Sequence, residues 1–275
     1  MKSRIAVAAT FVALAVIAGP AFGQEPPAPV QGGGDWILSE IPENKATIAI
    51  VEFSSGLGLA ARCVDGVFDM IVYGLPSVGD RESTREIALA VGENGDERTT
   101  VWQVGSDRTS AFSRLPARVA RQLAEGGRLQ VIVPGAPGAR HTRYEMELDP
   151  SNAAVEKTLT ACGRPLVDPR DIQTIGNGQN GLPSPIVWAR VPSPQFPRLP
   201  GRSGEAYVGL SCKVIDGGRL DDCQVESEFP PRQLFAPAVL RSMGRARLKL
   251  TDEGVANGAT LHGGVITFVV NITMH

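Results

Sequence analysis

Apolar and polar positions alternate over short stretches along most of this chain, the period-2 pattern of half-buried strands. Residues 47–53 are β-branched and apolar apart from Glu52, 57–62 lead into Cys63, and 67–73 are apolar apart from Asp69, as a buried strand would be. Residues 87–91 and 99–104 alternate on either side of Asn94-Gly95, a pair that favours positive φ. They predict a hairpin whose turn is longer than two residues. The period then changes. Pro116 opens a stretch in which Ala117, Val119, Ala120 and Leu123 share a helical face before Gly126-Gly127 stops it. Residues 129–133 and 142–148 predict another strand pair. Ser151 caps a second helix with Ala154, Val155, Leu159 and Cys162 on one face, and Gly163 ends it.

From 167 to 194 the composition shifts to Pro, Gly, Asn and Gln with little periodicity, which predicts a linker. Beyond it, 206–215 alternates into a strand, Gly217-Gly218 makes a tight turn, and 220–227 returns. Pro237 sits in the first turn of a helix whose apolar face is Phe235, Val239, Leu240 and Met243. Residues 263–274 form a long last strand. The fold class expected is α+β in two domains: a β-rich unit with two helices over 35–166, the linker 167–194, and a ββαβ unit over 195–275.

Four cysteines allow three connectivities. Cys212 and Cys223 are equidistant from the Gly217-Gly218 turn, so a symmetric hairpin sets them opposite each other. Cys63 lies among the early strands of the first unit and Cys162 at the end of its closing helix. A bridge between these two would close a loop of about 100 residues. No pair has C-x-x-C spacing and the three histidines are scattered, so no metal or cofactor is expected.

The N-terminus bears on the compartment. Lys2 and Arg4 precede an apolar run over residues 5–18, Gly19-Pro20 breaks it, and Ala21-Phe22-Gly23 offers small residues for cleavage before Gln24. The run is shorter than the about 20 residues that cross a bilayer. Residues 1–23 are therefore expected to be a cleaved signal peptide and 24–34 a Pro- and Gly-rich disordered lead. The product would be periplasmic, with no lipid insertion after cleavage. Net charge is −2 over the whole chain and becomes −4 without Lys2 and Arg4, a poor match for phosphate backbones, so no nucleic-acid partner is expected.

Phe196-Pro197, Gly204, Cys212-x-Val214, Gly218-x-Leu220, Cys223-x-Val225, Glu228-x-Pro230, Phe235 and Ala238 follow one another with specific spacing. In this order they resemble the C-terminal domain of the TonB family, in its cysteine-containing kind, over residues 188–275. The pattern departs at Phe196, where the family usually has Tyr, and at Arg232 and Leu234, where Gly is common. The resemblance implies a mixed α/β unit that takes a partner's segment by strand addition. On this chain the accepting edge would be Val265, Ile266, Thr267, Phe268, Val269, Val270, Asn271 and Ile272. A looser pattern in the first unit, Arg62-Cys63-x-Asp65-Gly66, Trp102 and Ala154-x-x-x-Thr158-Leu159-x-Ala161-Cys162-Gly163, resembles VasI-like periplasmic domains.

No constellation joins a nucleophile, a base and an orienting group. His141 lies in a polar stretch that reads as a loop, Ser211 lacks a Gly-x-Ser-x-Gly elbow, and Asp221-Asp222 sit on a hairpin face. Arg114, Arg118 and Arg121 read as the solvated side of the first helix rather than an anion site. The expectation is a binding or scaffolding protein, not an enzyme, that docks a protein or peptide in the cell envelope. Two alternatives stand beside it. One is a periplasmic enzyme with a cleft between its domains, marked by polar groups of shifted pKa. The other is a membrane-retained energy transducer, for which the eleven-residue lead, reaching at most about 35 Å, is short.

Overall fold

The computed structural model describes residues 35–274 apart from 93–94, 136–139, 151, 176–181, 197–203 and 233–234. The expected signal peptide and lead, and the readings placed on Asn94, Ser151, Pro197 and Leu234, lie outside the described residues. Two sheets hold the strands, and every strand pairing within them is antiparallel. The α+β class holds.

The first sheet has nine strands: β1 (Ile37–Ile41), β2 (Ala46–Glu52), β3 (Gly58–Val64), β4 (Val67–Tyr73), β5 (Thr84–Val91), β6 (Arg98–Val104), β7 (Ala111–Ser113), β8 (Gly127–Val133) and β9 (Thr142–Leu148). They lie in the order β1-β2-β3-β4-β7-β6-β5-β8-β9. Alternate residues face one core: Ala49 and Val51, Leu59 and Ala61, Met70 and Val72, Ile87, Trp102, Leu129 and Val131. Helices α1 (Pro116–Ala124) and α2 (Ala153–Ala161) close that core with Ala120, Leu123, Val155 and Leu159. Cys63 is bonded to Cys162 at the C-terminal end of α2, which ties the helix to β3.

The second sheet has five strands: β10 (Ile186–Arg190), β11 (Gly204–Ile215), β12 (Arg219–Phe229), β13 (Arg247–Leu250) and β14 (Val265–Met274), ordered β10-β13-β12-β11-β14. Helix α4 (Phe235–Met243) covers one face with Phe235, Val239 and Met243, against Val208, Leu210, Ile266 and Phe268. Short helices α3 (Pro169–Ile172) and α5 (Asp252–Ala256) complete the chain.

The structure departs from the expected ββαβ unit in three places. Segment 167–194 contains α3 and β10, and β10 is an outer strand of the second sheet through its pairing with β13. Strand β13 and helix α5 lie between α4 and β14. The hairpin is not symmetric, because β12 carries two bulges. Ser211 faces Gln224 but Lys213 faces Asp221, and Gly209 faces Ser227 but Leu210 faces Val225. Asp222 and Glu226 are the extra residues, with Asp222 at φ 44°. Cys212 still bonds Cys223, with Cα atoms 4.0 Å apart.

Several residues of the TonB-like pattern have evident work here. Glu228 Oε1 accepts from the N–H groups of Phe235 (2.7 Å) and Ala236 (3.2 Å), satisfying orphan donors at the start of α4. Phe235 is buried with its ring 5.8 Å from that of Phe196. Gly218 has φ 67°, and a Cβ there would lie 2.0 Å from the Leu248 carbonyl oxygen. Arg232, where the pattern favours Gly, does take a left-handed conformation (φ 61°). Its guanidinium is held against Asp65 in the β3–β4 turn, Nη1 to Oδ2 2.8 Å.

Candidate partner-docking edge and the clamp behind it

Strand β14 pairs on one side with β11 over its whole length, from Lys213 opposite Val265 to Gly204 opposite Met274. Its other side is the sheet edge, and one contact shows which residues point there. The Val265 N–H donates to the Gln173 carbonyl (2.8 Å), and its carbonyl accepts from Ile175 N–H (2.7 Å). Backbone direction alternates along a strand, so Thr267, Val269, Asn271 and Thr273 also aim their N–H and C=O groups outward. Of these, Thr267 and Val269 are only 4% and 6% exposed, whereas Asn271 is exposed. The edge is therefore covered over its first half and accessible near Asn271. Ile266, Phe268 and Ile272 point instead into the core beneath α4.

Beside this edge lies an apolar groove of about 400 Å³ lined by Leu182, Trp188, Val191, Pro194, Phe196 and Phe268. Trp188 meets Phe268 edge-on with ring centroids 5.4 Å apart. The first and last strands of the sheet order thus approach each other across the core.

The opposite face of the second sheet is not free. It packs on α1, in which every residue except Gln122 is buried. Here the reading of Arg114, Arg118 and Arg121 as solvent-facing is overturned: they are 8%, 8% and 7% exposed. Helix α1 lies between the two sheets, so its apolar side serves the first core and its basic side meets the second sheet. Arg114, just before the helix, places its guanidinium 4.6 Å over the Tyr207 ring and donates to Asn271 Oδ1 (2.9 Å). Arg121 forks onto Asp171, with Nε 2.5 Å and Nη2 3.1 Å from its oxygens.

The intervening segment carries two more arginines in the other direction. Arg170, 7% exposed, donates to Ser211 O and Oγ (3.1 and 3.2 Å) and pairs with Asp222 Oδ2 (2.8 Å). Arg164 reaches Val225 O (2.6 Å) and Glu226 Oε2 (3.4 Å), and Ser211 Oγ donates to Glu226 Oε1 (2.6 Å). The two β12 bulges supply the acids for these pairs, since an extra residue re-aims its side chain out of the regular pleat. Ser211 and Asp222, read as catalytically empty, are parts of this clamp.

Lys213, by hydrogen bond, and then Arg170 hold the Asp222 carboxyl below its usual range. A depressed folded pKa adds stability above the unfolded value, and that stability is lost as pH falls through the folded pKa. The melting temperature of Asp222→Asn should therefore fall below the wild type's at neutral pH. The gap should close as both are titrated below about pH 4. A gap independent of pH would show that the carboxylate charge is not involved.

Between the sheets, on the far side of Arg164, is a cavity of about 720 Å³ with walls that include Phe68, Phe112, Tyr207, Val225 and Phe229. It holds two shifted groups, as the enzyme alternative required. Burial pushes the Asp69 carboxyl up, opposed by Arg62 at 2.9 Å, and burial pushes the Tyr207 phenol up. Its described lining has neither histidine nor cysteine. Two of its hydroxyls are engaged, Ser113 Oγ accepting from Leu115 N–H and Ser83 donating to Glu205. His141 and His262 are exposed, the latter on Asp216 at 3.0 Å.

No family model matches the chain, and no curated protein matches it. Among solved structures, the solution NMR structure of the Pseudomonas aeruginosa TonB C-terminal domain is similar to part of it. The identity is 22%, the match covers 37% of this chain and 93% of that one, and the TM-score is 0.27. The VasI-like resemblance has no counterpart in these comparisons.

Proposed function

We propose that this is a non-enzymatic binding protein of the cell envelope that docks a protein or peptide strand at the outer edge of β14. The observation that carries the reading is the pairing of Val265 with Gln173 and Ile175. The edge already takes one parallel bridge from its own chain, at Thr174, and strand addition by a partner uses the same kind of backbone groups. The apolar groove beside Asn271 offers pockets for alternate side chains of such a strand. Two disulfides suit an oxidising compartment, which supports export through the N-terminal segment. On this reading the second sheet, to which segment 167–194 contributes β10, presents the docking edge, and its TonB-like pattern serves docking.

The test is site-specific photo-crosslinking in the native cells. A benzophenone side chain at Asn271 should give one discrete higher-mass product, and the same group at exposed Lys249 on β13 should not. Thr273→Pro, which removes an outward N–H on the open part of the edge and spares the β11 ladder, should abolish that product. Equal labelling from both positions, or a product that persists in the proline variant, would refute docking at this edge.

A further inference from the structure

Helix α1 carries one cation that the clamp does not use. Between Arg114 and Arg121, Arg118 is 8% exposed. Among the described residues its guanidinium enters no hydrogen bond or ion pair, and Nη1 is buried without a partner. Burial depresses its pKa, as do neighbouring Arg98 and Arg121, against the opposing pull of Asp171 and Glu226. A buried guanidinium without an acceptor is unfavourable, and nearby arginines add repulsion. Arg121 is answered by Asp171. Asp171 and Glu226 attract Arg118 only through space, and among the described residues neither hydrogen-bonds to it.

Arg118 lines a cavity of about 690 Å³ together with Arg98, Gln122 and the Arg121–Asp171 pair, and Asp96, Glu97 and Glu125 add an acidic wall to the same lining. The volume is within the range of small-molecule sites, about 300–1,000 Å³, and is large for a bare inorganic ion. We propose that this cavity is an anion-binding site in which Arg118, supported by Arg98 and Gln122, receives one phosphate head group. The acidic wall disfavours a polyanion and suits a head group that brings its own ammonium. Guanidinium geometry matches two phosphate oxygens at once, and the bound anion would supply the acceptors Arg118 lacks.

The experiment is calorimetry and thermal melting of the full mature chain with inorganic phosphate and, separately, phosphoethanolamine, at ionic strength matched with chloride. Both probes should bind saturably and raise the melting temperature, phosphoethanolamine more tightly. Arg118→Gln should weaken both by at least tenfold while leaving the ligand-free melting temperature unchanged or higher. Arg98→Gln, at the half-buried rim, should weaken both severalfold, and it keeps the test usable should the first variant not fold. Binding that is equal in wild type and both variants, or no saturable binding of either probe, overturns the site. Phosphate binding as tightly as phosphoethanolamine overturns the role given to the acidic wall.

Discussion

Replacing Arg170 with methionine is expected to cost about 3–5 kcal/mol and to split one unfolding transition into two. The size follows from what remains behind. Arg170 is 7% exposed and supplies donors to Ser211 O, Ser211 Oγ and Asp222 O. Methionine fills much of the volume and supplies none, so buried acceptors lose their partners, and the loss of one member of a buried polar pair is expensive. The split follows from position. Arg170 and Arg164 grip β11 and β12, while Asp168 and Asp171 on the same short segment grip Arg121 of α1. Cutting one grip should let the sheets melt separately. Arg170→Lys should recover only part of the loss, because an ammonium cannot span Ser211 and Asp222 as a planar fork can. Urea titrations followed by far-ultraviolet dichroism and by tryptophan emission measure both effects. Tryptophan emission reports both sheets, since Trp36 and Trp102 are in the first core and Trp188 packs on the second, so sheets that melt apart should give a two-step curve. A single transition at the wild-type midpoint would mean that the clamp does not couple the sheets.

The second large effect belongs to the Cys63–Cys162 bond. Its residues are 99 apart, so the bond restrains a long loop in the unfolded chain, worth about 5 kcal/mol in the chain-entropy model. Cys212 and Cys223 are only 11 apart, on strands the β-ladder already pairs. The same model gives about 3 kcal/mol there as an upper figure. The double serine variant at 63 and 162 should lose substantially more stability than the one at 212 and 223, measured as the shift in urea midpoint at constant slope. The reverse ranking would mean that the hairpin bond restrains more than its own turn.

Both disulfides could be read from the chain, because each depended on local patterns that were strong: a helix end at Cys162 and a turn flanked evenly by Cys212 and Cys223. The long strands were legible for the same reason. Strand β4 is legible at 67–73 because six of its seven residues are apolar or aromatic, as a strand buried in the sheet requires. Strands β1, β7, β10 and β13 were not, and each is five residues or fewer. So short a run carries no measurable period, and what makes β10 a strand is its pairing with β13, some sixty residues away. The bulge at Glu226 was hidden similarly, whereas that at Asp222 left a trace, since two acids in a row between Leu220 and Cys223 break the alternation.

The misread helix face is the more instructive loss. Arginines opposite an apolar stripe normally meet water, and the spacing of Arg118 and Arg121 holds no sign that a second sheet covers them. One sign was present in a neighbour. Tyr207, Gly209 and Ser211 alternate on the side of β11 away from α4, and Gly209 there lets the chain of Arg114 approach so closely that a Cβ would lie 2.7 Å from its carbonyl oxygen. A glycine amid otherwise well-packed strand residues marks such an approach. The edge of β14 was anticipated as a place where something extended could bind. That residues 173–175 would occupy its first turn of backbone groups was not, because that bond joins parts of the chain about ninety residues apart.

That same short pairing at Val265 has a consequence for the protein at high concentration. A long, apolar outer strand is a template on which identical copies can stack, and soluble proteins blunt such edges or cover them. Here the chain's own residues 173–175 occupy the start of the strand, and Thr267 and Val269 are shielded from water. Open only around Asn271, this strand offers a second copy fewer consecutive backbone groups than its ten residues would if bare, which limits stacking at this edge while leaving room for a short partner segment.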